Sequence, residues 1–271
     1  MAIQIKTVEQ LQLMRKAGLV VGEGLNLMKA AIKPGVTTLE LDAIAADFLK
    51  EKSATPSFLN YNGTFPNVIC ASVNHEVVHG IPNERELIEG DVISIDFGAI
   101  VNGWHGDAAF SIGVGSIDPA DQKLMDTCEE SMWRGIAAAK VGGYLTDISY
   151  AIESYIQSQG KYGILREYGG HGIGTEMHQD PHVINYGPAG HGPLLKPGFA
   201  LAIEPMITRG TEKMKTLSDD WTVIASDKSN GAHFEHTFAL LPDGKPFVMT
   251  AIDGGAADLG RLGVEVSELL K

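Results

Sequence analysis

The chain has 271 residues, 44% hydrophobic and 20% charged, which excludes a disordered segment and leaves ample chain for a globular core. Its 21 basic and 34 acidic residues give a formal net charge of -13, which argues against a broad or sequence-specific nucleic-acid-binding face. Two cysteines, Cys70 and Cys128, are too few for a disulfide framework or a zinc ribbon; no apolar run reaches the roughly 18 residues of a membrane span, and no signal or transit peptide is recognisable, so a reducing cytoplasm is the expected location.

In chain order, apolar periodicity predicts helices near 7–31 and 38–52, a loop to about 66, and strands and turns through 113. Helices near 118–139 and 146–159 follow, then mostly strands and loops to 250. Helices segregated from antiparallel strands define an α+β class. The domain is expected to span 1–252, in halves of about 1–115 and 116–252. A Gly-rich, mildly amphipathic tail over 253–271 is given no function.

Between the first two strand runs, Asn102-Gly103 is a two-residue type I′ hairpin signal. In that register Val101 faces Trp104, Gly98 faces Asp107 and Asp96 faces Ala109. Asp96 and Asp107 then become diagonal neighbours on one face, with backbones about 7–8 Å apart. Aspartate is depleted in strands. Two on one face, flanked by Ile95, Phe97 and Ala108, repel unless something positive lies between them, so the hairpin points to a cation site.

The chain also repeats itself. Lys33-Pro34-Gly35 and Lys140-Val141-Gly142 each precede a helical pattern, 107 positions apart. Glu89-Gly90-Asp91 and Lys196-Pro197-Gly198 each open an apolar strand, 108 positions apart. The agreement suggests two αβ halves about a pseudo-two-fold axis, with Asp96 and Glu204 at equivalent strand positions.

Three more segments stand out. Tyr168-Gly169-Gly170-His171-Gly172-Ile173-Gly174 sets a histidine among glycines, where backbone and ligand can approach closely, and lacks the spacing of a phosphate loop. Ala202-Ile203-Glu204-Pro205-Met206 and Phe234-Glu235-His236-Thr237-Phe238 each place a carboxylate among apolar strand residues, where it is costly to bury unpaired. With the hairpin these make a set of two Asp, two Glu and one His.

That set, together with His79-Gly80-Ile81-Pro82, Gly170-His171-Gly172-Ile173-Gly174, Ile203-Glu204-Pro205-Met206, Asp220-Trp221-Thr222 and Glu235-His236-Thr237, resembles the type I methionine aminopeptidases in their short bacterial form. The likeness runs from about residue 4 to 250. It implies the pita-bread fold, two pseudo-symmetric halves around a central antiparallel sheet. It implies two divalent cations held by Asp96, Asp107, His171, Glu204 and Glu235; carboxylate oxygens with one imidazole suit Co, Mn, Fe or Zn without choosing among them. By the same resemblance Glu204 is also a proton shuttle, His178 a donor to the carbonyl oxygen, and His79 a contact to the scissile amide nitrogen. Tyr61, Phe65, Cys70, Met177 and Trp221 fall near the family's methionine-slot positions. The family often carries Tyr at the place of Phe65 and Phe at the place of Met177, so a softer slot is expected here. Implied partners are the N-terminal Met of nascent chains and the ribosome, acting as a monomer without a membrane. His75, His105, His182, His191, His233 and His236 are read as loop or packing residues, with a supporting role open to His236.

Three other readings compete with this one, of which a non-catalytic binding protein on the same fold is disfavoured because such relatives typically lose metal ligands and all five are present here. His75-Glu76-Val77-Val78-His79 matches the H-E-x-x-H zincin pattern, which requires a sustained helix; Gly80 and Pro82 follow at once and the preceding run reads as strand. The aminopeptidase P and prolidase branch shares the five ligands but usually carries an added N-terminal domain.

Overall fold

The computed structural model describes residues 3–270. Four long helices form two pairs: α1 (Val8–Ala31) with α2 (Thr38–Glu51), and α3 (Pro119–Ala138) with α4 (Leu145–Gln159). Each lies within about a residue of its predicted span, and three of the four starts carry a side-chain cap. The Thr7 hydroxyl and Gln10 close a capping box on α1, and Thr37 with Glu40 does so on α2. On α3 the Asp118 side chain accepts from the Ala120 N–H beside a first-turn Pro119. The buried face of α1 runs Leu11, Met14, Ala17, Val21, Leu25 and Met28, a three-to-four-residue stripe.

Those helix pairs flank a curled nine-stranded antiparallel sheet. Its main path runs Thr55–Pro56, Val92–Val101, Trp104–Gly113, Glu235–Leu240, Ala200–Ile203, Gly170–Gly172, Gln179–Val183. Ile69–Val73 adds to Val92–Val101, and Pro246–Val248 adds to Glu235–Leu240. The hairpin has the predicted register: Val101 faces Trp104, Gly98 faces Asp107 and Asp96 faces Ala109. Asn102 and Gly103 both take positive φ, +52° and +79°, as a type I′ turn demands. Helix α1 lies almost backbone to backbone on this hairpin. A Cβ on Gly106 would sit 2.8 Å from the Gly18 nitrogen, so a side chain there would push the helix off the hairpin, while one on Gly18 would strike the Met249 carbonyl.

The repeat is visible atom by atom. Gly35 N–H donates to the Leu87 carbonyl at 2.8 Å, and Gly142 N–H to the Leu195 carbonyl at 2.9 Å. Glu40 accepts from the Thr37 N–H at 2.7 Å, and Asp147 from the Tyr144 N–H at 2.8 Å. Gly90 and Gly198 open their strands with φ of +95° and +90°. The halves meet between Trp104–Gly113 and Glu235–Leu240. That seam registers only Glu235 with Ala109 and His236 with Ala108, against ten paired positions within the hairpin.

Residues 253–270 pack onto the body. Leu259 in the short helix α5 (Ala256–Arg261) is buried, as are Val266 and Leu270, and Arg261 pairs with Glu130 on α3. Leu269, between the docked positions, stays exposed.

Candidate metal centre

Sheet register alone brings the carboxylates together. One row crosses the strands as Cys70, Asp96, Ala109 and Glu235. Continuing the pairing of His236 with Ile203 sets Glu204, just past its strand, beside Glu235. The neighbouring row runs Gly98, Asp107, then across Thr237 and Ala202 to His171 and His182. Residues two apart on a strand share a face, so both rows present side chains to the same side. At Gly98 the missing side chain admits Ser57 and Phe58, since a Cβ there would sit 2.8 Å from Ser57 Cβ. Thr237 pins the Asp107 backbone: its Oγ accepts from the Asp107 N–H at 3.1 Å and donates to the Asp107 carbonyl at 2.8 Å.

All twelve residues predicted for the site line one cavity of about 280 Å³: Asp96, Asp107, His171, Glu204 and Glu235 with His79 and His178 at the polar end, and Tyr61, Phe65, Cys70, Met177 and Trp221 on the apolar side. Phe65 meets Trp221 edge-on at 5.1 Å between ring centroids. The Trp221 ring also stands 6.1 Å from His79. The sequence reading missed Phe58, Tyr168, Met206 and His182, which complete the walls. His182 is legible only once its strand is known to pair with the His171 strand.

The H-E-x-x-H segment is not helical. His75 follows Asn74, whose φ is +60°, and Glu76–Val78 is a strand, so His75 and His79 cannot share a helix face. His236 points away from the cavity. Its Nδ1 lies 2.8 Å from Thr250 Oγ1 and its ring rests 4.9 Å from Trp133. A supporting contact to the carboxylates is therefore not made.

The donor set fits divalent cations. Asp107 Oδ1, Asp96 Oδ1 and Glu235 Oε1 are buried without a hydrogen-bond partner, a costly state for carboxylates unless a cation meets them. Asp107, His171 and Glu235 offer ligand atoms within 4.8 Å of one another. Burial first, then neighbouring carboxylates, push Asp96 and Glu235 well above the usual range, and burial with Asp107 does the same to Glu204. Burial raises Asp107 to about 7. The imidazoles move the other way. Burial lowers His171 and His233 to about 3 and His79 to about 4, leaving them neutral at physiological pH, as ligation or hydrogen bonding requires.

The signs set a pH dependence for the metal-free protein. Buried neutral histidines add stability that is lost below about pH 6.5. Carboxylates raised on folding lose stability as pH rises from their unfolded pKa through the folded one. Between pH 6.5 and the pKa of about 8 to which burial lowers Lys6, the raised carboxylates set the slope, so the Tm of the metal-free protein is expected to fall between pH 6.5 and 8. Added divalent metal should raise Tm by an increment that grows over the same interval. A flat metal-free Tm with a pH-independent increment, read by scanning calorimetry, would show that the acids are already ionised without a counter-charge.

Comparison with known proteins narrows the chemistry. The model of metallopeptidase family M24 matches residues 12–241. The methionine aminopeptidase of Clostridium acetobutylicum is 51% identical over 249 residues, covering 92% of this chain and 98% of that protein. Methionine aminopeptidase 1 of Bacillus subtilis is 49% identical over 239 residues, covering 88% and 96%. The crystal structure of methionine aminopeptidase from Rickettsia prowazekii superposes with a TM-score of 0.89 at 39% identity, covering 92% of this chain and all of that one. The chain therefore belongs to metallopeptidase family M24, with the pita-bread fold that its halves suggested. Within the family it groups with the methionine aminopeptidases, and it is a metal-dependent aminopeptidase.

Proposed function

We propose that the enzyme removes the N-terminal methionine from nascent proteins, preferring a small second residue, in a cavity where Asp96, Asp107, His171, Glu204 and Glu235 hold two divalent cations. The observation that carries this reading is the single cavity joining those acids to an apolar slot. Strands of the sheet carry Asp96, Asp107 and Glu235 into its wall, an arrangement that suits a chain terminus. Phe58, Phe65, Cys70 and Met177 form one buried apolar cluster with Tyr61 and Trp221 against it, an environment in which a thioether gains sulfur–aromatic contacts.

Two divalent cations in such a site lower the pKa of a water and polarise the peptide carbonyl. The side chains supply the rest. Glu204, with its second oxygen free for a proton, takes one from the attacking water and passes it to the departing amine. Tyr61 Oη lies 2.5 Å from His178 Nδ1. Burial raises the Tyr61 pKa, so its hydroxyl keeps its proton and donates, which leaves the His178 proton on Nε2, free to reach the carbonyl oxygen as it becomes anionic. His79 sits at φ +59°, a strained position for a side-chain residue, with its ring held against Tyr168 and Trp221. That strain fixes a neutral imidazole beside the scissile amide nitrogen.

Among the described residues no helix is long and apolar enough to cross a membrane. The two free, buried cysteines suit a reducing cytoplasm, where nascent chains leave the ribosome.

Purified protein with added divalent metal is expected to release Met from Met-Ala-Ser. Release from Xaa-Pro peptides alone would sink the substrate assignment. Met177 gives the slot a flexible wall, so the norleucine analogue should be cleaved within about tenfold of the Met peptide, a spread of ~1.4 kcal/mol. A preference for Met of a hundredfold or more would show the slot to be rigid.

A further inference from the structure

His233 is 1% exposed, and its Nε2 has no hydrogen-bond partner. The ring stands over the acid cluster: Nε2 lies 3.7 Å from Glu204 Oε2 and 3.9 Å from Glu235 Oε2. Both spacings exceed the roughly 3.2 Å limit of a good hydrogen bond. Donors about 2.1 Å from one cation, in a tetrahedral to trigonal arrangement, sit roughly 3.4–3.7 Å apart. The observed separations thus need only a small inward shift to become those of ligands around one ion. The other face of Glu204 is used differently. Its Oε1 lies 3.5 Å from His171 Nε2, so the carboxylate stands between two imidazoles with one oxygen toward each.

The donors accordingly fall into two triads that share Glu235. One is Asp107, His171 and Glu235; the other is Glu204, His233 and Glu235. The geometry points to a third divalent-cation position, formed by Glu204, His233 and Glu235 beside the dinuclear pair, rather than to a packing histidine. This rests on the reading of the acid cluster as a metal centre. One imidazole and two carboxylates favour a borderline cation such as zinc or cobalt over magnesium or calcium. Occupancy would engage Glu204 Oε2, the oxygen left free for proton transfer, so filling the third position would slow turnover.

The test is to titrate metal-free wild type and His233→Gln with Zn²⁺ and to count bound metal by equilibrium dialysis with elemental analysis. Wild type should bind three ions per chain and H233Q two, with the weakest wild-type step missing from the variant. Equal stoichiometry and equal stepwise affinities would overturn the proposal. Wild type binding fewer than two ions would instead overturn the dinuclear reading on which it rests. X-ray absorption on zinc-saturated wild type gives a check independent of any variant. Two imidazole ligands per three zincs support the third position, and one per chain overturns it. Turnover of Met-Ala-Ser in wild type should fall at least tenfold as zinc rises past the second binding step. In H233Q that fall should be absent or moved to tenfold higher zinc.

Discussion

Replacing Glu204 by Gln is expected to cut turnover of Met-Ala-Ser by roughly two to four orders of magnitude, the range that general acid–base groups contribute. The amide keeps the volume and an oxygen ligand but cannot take a proton. The loss should therefore fall on kcat, with KM changed less than threefold. The fold should survive, because the Glu204 backbone is held independently: its carbonyl accepts from Asn185 Nδ2 at 3.0 Å. Steady-state kinetics with circular dichroism decides it. Retention of more than a tenth of wild-type kcat would move the proton-transfer role to another group.

Asp107→Asn is expected to remove activity to a similar depth by a different route. Asp107 belongs to a donor triad with His171 and Glu235 and is also the diagonal neighbour of Asp96, so its charge would help hold the two cations. The amide lacks the charge that neutralises them. Elemental analysis should show the loss of at least one ion per chain, and activity should stay below about a hundredth of wild type even at raised metal, given the several kcal/mol a cation contributes to transition-state charge. Metal-free D107N should be more stable than metal-free wild type at pH 8, because one buried acid has gone. Undiminished metal content would remove Asp107 from the ligand set.

What the sequence disclosed follows from what has a short-range signal. The I′ turn fixed the hairpin register, and period-two alternation then put Asp96 and Asp107 on one face without knowledge of the rest. Apolar periodicity bounded the helices. The 107–108 offset set Glu204 beside the hairpin's acids. His233 escaped although it stands two residues before Glu235, where a continuous strand would place both side chains on one face. The chain breaks between them. Gly231–His233 pairs with Met206–Thr208 in a separate three-stranded sheet, and Glu235 begins the pairing with Ala109. A change of sheet at Phe234 has no composition cue. The cavity walls at Phe58, Tyr168 and His182 were hidden for a related reason, since they arrive from loops and strand ends positioned only by long-range pairing. The docking of residues 253–270 depends on a surface groove that no local pattern describes.

The two-pair seam between the halves has a consequence of its own. Asp107 and Glu235 stand on its opposite banks, so a shared cation would act as a rivet through a joint of only two ladder positions. Without the rivet, the strands at 104–113 and 235–240 are held across that joint by two ladder positions and the Thr237 hydroxyl. Amide hydrogens along the joint would then exchange with solvent well before those inside the hairpin, and loading the centre would slow that exchange first at 107–109 and 235–237. The two halves would thus be welded by the same ions that perform the chemistry, and loss of the ions would loosen the molecule along the line where they meet.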